Sequence, residues 1–404
     1  MKKSLVLGIG AVVTALLLAS CGNGGGATTD GTDTIVLTVS ESLQGPDEFI
    51  KQAGAAYTAQ NPNVTIEFVN IETDKAQERI TVDGPAGTGP DVFAVPHDQL
   101  GKLIAGGHVL PATGSMSGNV LQSNIDAVTH DGKIYGYPVG TETYALFYNK
   151  ALVPDIDQMK TWDGLIEWCE TYQAENPGKY GFAMDIANAF FAVLFTTAHG
   201  NKVFGPDGTD ETNTYLNSAD ALVGMATYQK LSTVLKASAA DLDSATTDGL
   251  FMSGDAAMTI TGPWNINNYS DAGIDYGIVP LPALPGDTNP AGSFMNARTM
   301  AVSAYSKNPD AAQAFAAFLT TPEMQQLRAD LTGAMAPATS DIDYGANTDK
   351  IQGIVDQAEF AYATPSISAM PAFWEPAKAA FSNIWGGADA QTELDKANAA
   401  IVGQ

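Results

Sequence analysis

An α/β fold of two domains is what this sequence predicts, and three observations carry the prediction. The folded part opens as strand, helix, strand; its 404 residues exceed what one hydrophobic core usually supports; and stretches rich in proline and glycine recur where a chain would pass between domains. Hydrophobic residues make up 45% and charged residues 16%, the balance of a globular chain. The formal net charge of −26 would repel a phosphate backbone, so a nucleic-acid partner is set aside at once.

The first twenty residues stand apart from that fold. Met1-Lys2-Lys3 is a short basic start and Leu5 to Leu18 an apolar run too short for a comfortable membrane span, which together read as an export signal. Leu18-Ala19-Ser20-Cys21 has the form of a lipobox, with small residues ahead of a cysteine that receives lipid. Loss of residues 1–20 removes two lysines and no acids, taking the charge from −26 to −28. Residues 21–33, rich in glycine and threonine, read as a flexible tether. With Cys21 lipidated, Cys169 has no disulfide partner; in TWDGLIEWCETY it reads as a small buried hydrophobe on a helix.

Thr34 to Val39 reads as the first strand. Pro46, Asp47 and Glu48 suit the start of a helix whose apolar face carries Phe49, Ile50, Ala53, Ala56 and Tyr57. Val64, Ile66 and Phe68 alternate as a second strand. Thr73 to Val82 suggests another helix, and Asp91 to Val95 a buried strand. Beyond that strand lie His97, Asp98 and Gln99. Ligands of open α/β sheets bind beyond the carboxyl ends of strands, so Asp98 and Gln99 are candidates; capping the next helix, Gln99 to Gly106, is an equal role for Asp98 and compatible with the first.

Asp131 to Lys150, DGKIYGYPVGTETYALFYNK, holds two β-prone runs with Glu142 between them, and reads as a crossing between domains with Val139 to Thr141 as its hinge. Glu142 is either a solvated loop acid or an acceptor in a cleft. From Lys160 to Leu235 the chain is helix-rich, and DIANAFFAVLFTTAHGN is apolar enough for a buried helix. Asn188 and Phe190 fall near its start, where one ring can face a cleft; core packing is the plainer account of Phe190 and Phe191.

Ala256 to Ile260 is the next strand, followed by Thr261-Gly262-Pro263-Trp264, where an indole after a Gly-Pro turn suits a ligand floor. Tyr276 to Leu281 is a further strand. The prolines and glycines from Pro280 to Gly292 mark a second crossing, and Thr299 to Ser303 a strand after it. Capped helices follow at Asn308-Pro309-Asp310 and Thr321-Pro322-Glu323. Gly333 to Asp343 is irregular and suits a third crossing. The chain closes with MPAFWEPAKAAFSNIWGG, which carries Trp374, and with a helix from Asp389 to Ile401.

Five of these segments, in order from Pro90 to Lys378, resemble the maltose/maltodextrin-binding proteins, the extracellular solute-binding components of ABC sugar importers. They are PDVFAVPHDQLGKLIAGG, DGKIYGYPVGTETYALFYNK, FMSGDAAMTITGPW, IDYGIVPLP and AFWEPAK. The resemblance implies a periplasmic-binding-protein-like fold with three interdomain crossings and a ligand cleft. Its implied lobes are residues 34–140 with 293–343 and residues 141–292 with 344–404. It also implies carboxylates at Asp98 and Glu142 that accept sugar hydroxyls, and aromatic platforms at Trp264 and Trp374. Phe190 stands where the family often has a stacking tyrosine, Asn188 where some members have glutamate, Gln99 in place of an arginine and Val95 in place of a tryptophan. Glu41 aligns loosely with a polar contact loop. Arg298, near the second crossing, reads as a surface salt bridge more than a cleft residue.

A pyranose presents hydroxyls at its edge and C–H patches on its faces, so carboxylates around aromatic planes match it. The expected function is capture of maltose or maltodextrins by hinge closure and delivery to an ABC permease. The alternative is another oligosaccharide; an exported glycoside hydrolase is the rival class, and no acid and nucleophile motif supports it. His97, His108, His130 and His199 are dispersed, so no metal is expected, and neither a cofactor nor catalysis. The protein is expected to be a monomer held by lipid at the outer face of the cell membrane.

Overall fold

The computed structural model describes residues 34–43, 45–116, 120–337 and 342–403; the expected export signal, lipobox and tether lie outside the described residues. Alternating apolar residues in β1 (Ile35–Glu41) and β2 (Val64–Asn70) pair in parallel, with the helix Pro46–Gln60 between them. Pro46 at the first helical position needs no hydrogen-bonded amide, and Asp47 and Glu48 meet the positive end of the helix. A parallel pair needs such a crossover, and the helix supplies it.

β3 (Val92–Pro96) joins β1 on its other side. Three short strands follow: β4 (Thr129–His130), β5 (Lys133–Ile134) and β6 (Tyr137–Glu142). Next come β7 (Ala145–Asn149), β8 (Tyr180–Ala183), β9 (Ala256–Thr261) and β10 (Tyr276–Val279), and then β11 (Ser293–Val302) and β12 (Ala361–Ala363). The first sheet runs β2-β1-β3-β11-β12, with β6 also on β11; the second runs β10-β7-β9-β8.

Each sheet is covered on both faces. Leu37, Val39, Phe49, Tyr137, Met300 and Phe315 pack on one side of the first sheet, and Ile80, Phe93, Val95, Leu103 and Ala301 on the other. Leu146, Trp162, Phe182, Met258 and Phe381 fill one side of the second, with Phe147, Phe251, Tyr276 and Ile354 opposite. Sheets buried on both faces read as continuous apolar runs, which is why Val92–Val95 carries no polar alternation.

β11 is longer than the sequence indicates, since Ser293–Arg298 precedes the expected Thr299 start. Pairing with β6 and β3 holds a largely polar stretch, Asn296 to Thr299, that has little intrinsic strand character, and β12 pairs with Ser293–Met295 ahead of it. Phe294 lies in the core of the second sheet, Met300 and Val302 in that of the first. The described residues from Thr34 onward form one unit.

Other expectations need correction. Val139–Thr141, the expected hinge, lies inside β6, and Thr141 also bonds Met335. Passage to the second sheet falls on Thr143 and Tyr144, both fully buried. The run from Asp185 to Asn201 is not one helix but a single α-turn, Ala189–Ala192, continued by two 3-10 turns. Asn308 and Thr321 begin their helices without side-chain caps; proline at the first position presets the helical φ and leaves one free amide fewer. Of the expected third crossing, residues 338–341 lie outside the described residues.

Candidate functional site

The site is assembled along one face of β11. Successive side chains of a strand alternate, so Phe294, Asn296 and Arg298 share a face. Asn296 pairs in register with Glu142, and Arg298 with both Gly140 of β6 and Pro96 of β3. Asp98 and Gln99 follow Pro96 in a 3-10 turn, so the ends of β3 and β6 bring Asp98 and Glu142 alongside β11.

Asp98 is only 4% exposed, and burial pushes its carboxyl up to about 7. Among the described residues no cation pairs with it. Its capping role is not realised: neither this turn nor the helix Leu100–Ala105 has a side-chain cap. His97 beside it is an anchor. Burial lowers the imidazole to about 4, so it is neutral at physiological pH. Nδ1 accepts from the Ala297 amide at 3.1 Å, which leaves the proton on Nε2 to donate to the Thr364 carbonyl at 3.0 Å. Gln99 Oε1 and Asn296 Oδ1 are buried with no hydrogen-bond partner among the described residues.

Glu142 ends β6 rather than standing in a loop, and its side chain is 20% exposed. Its Oε1 accepts from Arg298 Nη1 at 3.1 Å. Arg298 is therefore not a surface residue. Nε donates to Glu41 Oε2 at 3.0 Å, and Nη2 to Glu41 Oε1, Ser42 Oγ and Thr73 Oγ1. Arg328 adds a second cation to Glu41 at 3.4 Å.

Glu41 is corrected as a ligand candidate. It has no exposed surface, and both oxygens are taken by the guanidinium groups and the Ser42 amide. Burial alone would raise its carboxyl, yet the two arginines outweigh burial and hold it below the ordinary range. An acid so saturated has no lone pair left for a hydroxyl. What brings these residues to one point is tertiary pairing across 257 positions of chain, for which local sequence gives no signal.

The aromatic half of the site meets β11 through Phe294. Phe190 lies 6.3 Å from Phe294 and 6.5 Å from Trp264, and Trp374 lies 6.0 Å from Phe294. Phe294 is thus the unforeseen centre of a set that sequence reading named only at its rim. Phe191 is buried in the core, whereas Phe190 and Trp374 are half-buried and Trp264 is 37% exposed. The Trp264 indole lies over Gly262, where an added Cβ would meet its ring at 2.1 Å, so only glycine fits there. Val95 is fully buried in the first core and presents no platform.

Asn188 caps the Phe190 turn by accepting from its amide at 3.1 Å. It also borders a cavity of about 820 Å³ lined by Asp185, Asp243, Trp374, Glu375 and Lys378. Its Oδ1 is thus partly committed to backbone. Cys169 is a free, buried thiol pushed up by burial. Among the described residues no three His, Cys, Asp or Glu are arranged to hold a metal ion.

The model for bacterial extracellular solute-binding proteins matches residues 40–326. A galactooligosaccharide-binding protein of Bacillus subtilis is 32% identical, with 100% of this chain and 97% of the relative covered. The maltodextrin-binding protein MdxE of the same species is 27% identical over 98% of this chain and 96% of its own. The crystal structure of a cyclo/maltodextrin-binding protein complexed with maltotetraose superposes with a TM-score of 0.78 at 31% identity, covering 93% of this chain and 98% of that one.

Proposed function

This chain belongs to the bacterial extracellular solute-binding protein family, and from that premise we propose that it captures maltose and maltodextrins and hands them to an ABC permease. Its fold is the two-domain α/β fold of the maltodextrin-binding structures. The observation that carries the proposal is the meeting, on one face of β11, of an aromatic set and a row of acceptors. Trp264, Phe190 and Trp374 offer planes for the C–H faces of a pyranose; Glu142, Asp98 and Gln99 offer acceptors for its hydroxyls, with Asn188 at the margin. The lobes we assign are residues 34–140 with 293–343 and residues 141–292 with 344–404, with the first boundary moved to Thr143 and Tyr144, where the chain leaves β6.

A nearly buried carboxyl without a cation is costly, and so is an orphaned amide oxygen. Ligand hydroxyls that donate to both remove that cost, which is the free-energy source for closing on sugar. Small-angle scattering reads the closure: saturating ligand should shrink the radius of gyration, and an unchanged radius at saturation argues against a hinge. The protein is read as a monomeric receptor without catalysis or cofactor, so measurable glucose release from maltotriose would overturn that part. Lipid on Cys21 would hold it at the outer face of the membrane, and a Cys21→Ala protein should then be shed.

A second reading is favoured by a specific observation. The relative at 32% identity binds, by its name, galactooligosaccharides, and Gln99, Asn188 and Phe190 depart from the maltodextrin pattern. Calorimetry against maltose, maltotriose, a cyclodextrin and β-galactooligosaccharides separates the two. Binding of α-glucans supports the first reading, binding of galactosides alone the second, and binding of neither removes both.

A further inference from the structure

We propose that Arg298 is the positioning residue of the ligand site, clamping one oxygen of Glu142 so that the other is presented to a sugar hydroxyl. The inference deepens the functional reading above and rests on Glu142 being a ligand acceptor.

Arg298 is built as a fixed donor, not a mobile one. Its side chain is 12% exposed. Nε and Nη2 are committed to Glu41, Ser42 and Thr73, all in the first sheet or the segment that follows it, so the guanidinium plane cannot swing. Only Nη1 projects the other way, to Glu142 Oε1 at 3.1 Å. A planar fork that spends one edge on a buried carboxylate and offers one remaining N–H to a second is a geometry that lysine cannot reproduce.

Glu142 is held from two sides. Its backbone is paired with Asn296, and its Oε1 is held by Nη1. Among the described residues Oε2 has no hydrogen-bond partner, and the side chain keeps 20% exposure. One oxygen is therefore structural and one is open.

The four charges also balance. Arg298 and Arg328 face Glu41 and Glu142, so the cluster is neutral as a whole. A hydroxyl donates to the open acceptor without importing charge, whereas an anionic oxygen has no proton to donate and is repelled by it. The chemical class that fits is an uncharged polyol.

The test is a cycle of variants, Arg298→Met, Glu142→Gln and the two together, titrated calorimetrically with maltotriose and with a β-galactotriose. Arg298→Met should weaken binding about tenfold when Glu142 is present and by less than about twofold when it is already Gln. Equal losses in both backgrounds would mean that Arg298 acts on the fold at large, and would overturn the proposal. Arg298→Lys, which keeps a cation for Glu41, guards against unfolding and should recover only part of the affinity.

A crystal structure of sugar-free Arg298→Lys gives a readout independent of any ligand. The Glu142 carboxylate should turn from its wild-type position; an unmoved carboxylate overturns the inference. If it turns while neither trisaccharide binds the wild-type protein, the clamp stands and the sugar reading falls.

Discussion

Replacing Asp98 with asparagine should make the ligand-free protein more stable, and increasingly so as the pH rises. The carboxyl sits 4% exposed with no cation beside it, and burial raises it from its ordinary 3.8 to about 7. A raised folded value means that the folded state holds the proton more tightly than the unfolded chain. Its stabilising contribution is full below about pH 3.8 and is lost as the pH climbs through 7. At about 1.36 kcal/mol per pH unit the interval amounts to roughly 4 kcal/mol as a ceiling, and relaxation around the carboxyl lowers it to about 2 kcal/mol. Asparagine keeps the shape and has no charge to bury. Urea unfolding of Asp98→Asn and wild type at pH 8 should therefore favour the variant by about 2 kcal/mol, and the gap should close towards pH 4. A gap that does not change with pH, or a variant less stable at pH 8, refutes the argument. The same variant should bind sugar more weakly, as expected where a site keeps an unfavourable group for use.

The other expectations concern the platforms and the packing beneath them. Trp264→Ala and Trp374→Ala should each weaken sugar binding at least about tenfold, roughly 1.4 kcal/mol. Trp264, exposed and resting on a glycine, should be lost without effect on melting temperature, whereas Trp374, packed on Phe294 and Phe373, should lower it; wild-type affinity in both variants would remove them from the site. Glu142→Gln should leave the fold intact and reduce affinity, and an unchanged affinity would make Glu142 a bystander. Gly224→Ala places a Cβ 1.8 Å from the Phe195 carbonyl oxygen, so a loss of about 3 kcal/mol or failure to fold is expected, and a melting temperature equal to wild type would contradict that packing.

Much of the frame was legible because local signals agree with the fold. The strand, helix and strand from Ile35 to Asn70 announce themselves by alternation, a proline start and an Asn-Pro-Asn stop. Where local and tertiary demands diverge, reading fails in consistent ways. Arg298 looks like a surface residue because arginine usually is; only Glu41 and Glu142, brought from distant parts of the chain, make its burial affordable. The middle of β11, Asn296 to Thr299, is largely polar and the strand follows a proline-rich loop, so the start of the strand is set by its neighbours and not by alternation. The apolar run after Asp185 has no helical period because it is buried all round as a series of turns, and length alone misled. Asp98 stands out in the sequence by its place beyond the carboxyl end of a strand and Glu142 as an acid between two β-prone runs, and the resemblance gives both the role of sugar acceptors; what the geometry adds is Phe294, Asn296 and Arg298 as the strand that gathers them.

β11 also sets an order of events. The first sheet is incomplete without it, since among the described residues β6 pairs with no other strand, β3 has its second neighbour here beside β1, and Ala297 meets His97 across 200 residues of chain. During synthesis or passage through a pore from the N-terminus, the first-sheet segments must wait as open edges until residue 302 is delivered. Such distant pairing is slow, and slowness keeps a chain threadable before it locks. A polypeptide ended at residue 292 should accordingly stay sensitive to proteases throughout its first-sheet segments, and a resistant fragment from residues 34–142 would show that those strands close without the late arrival.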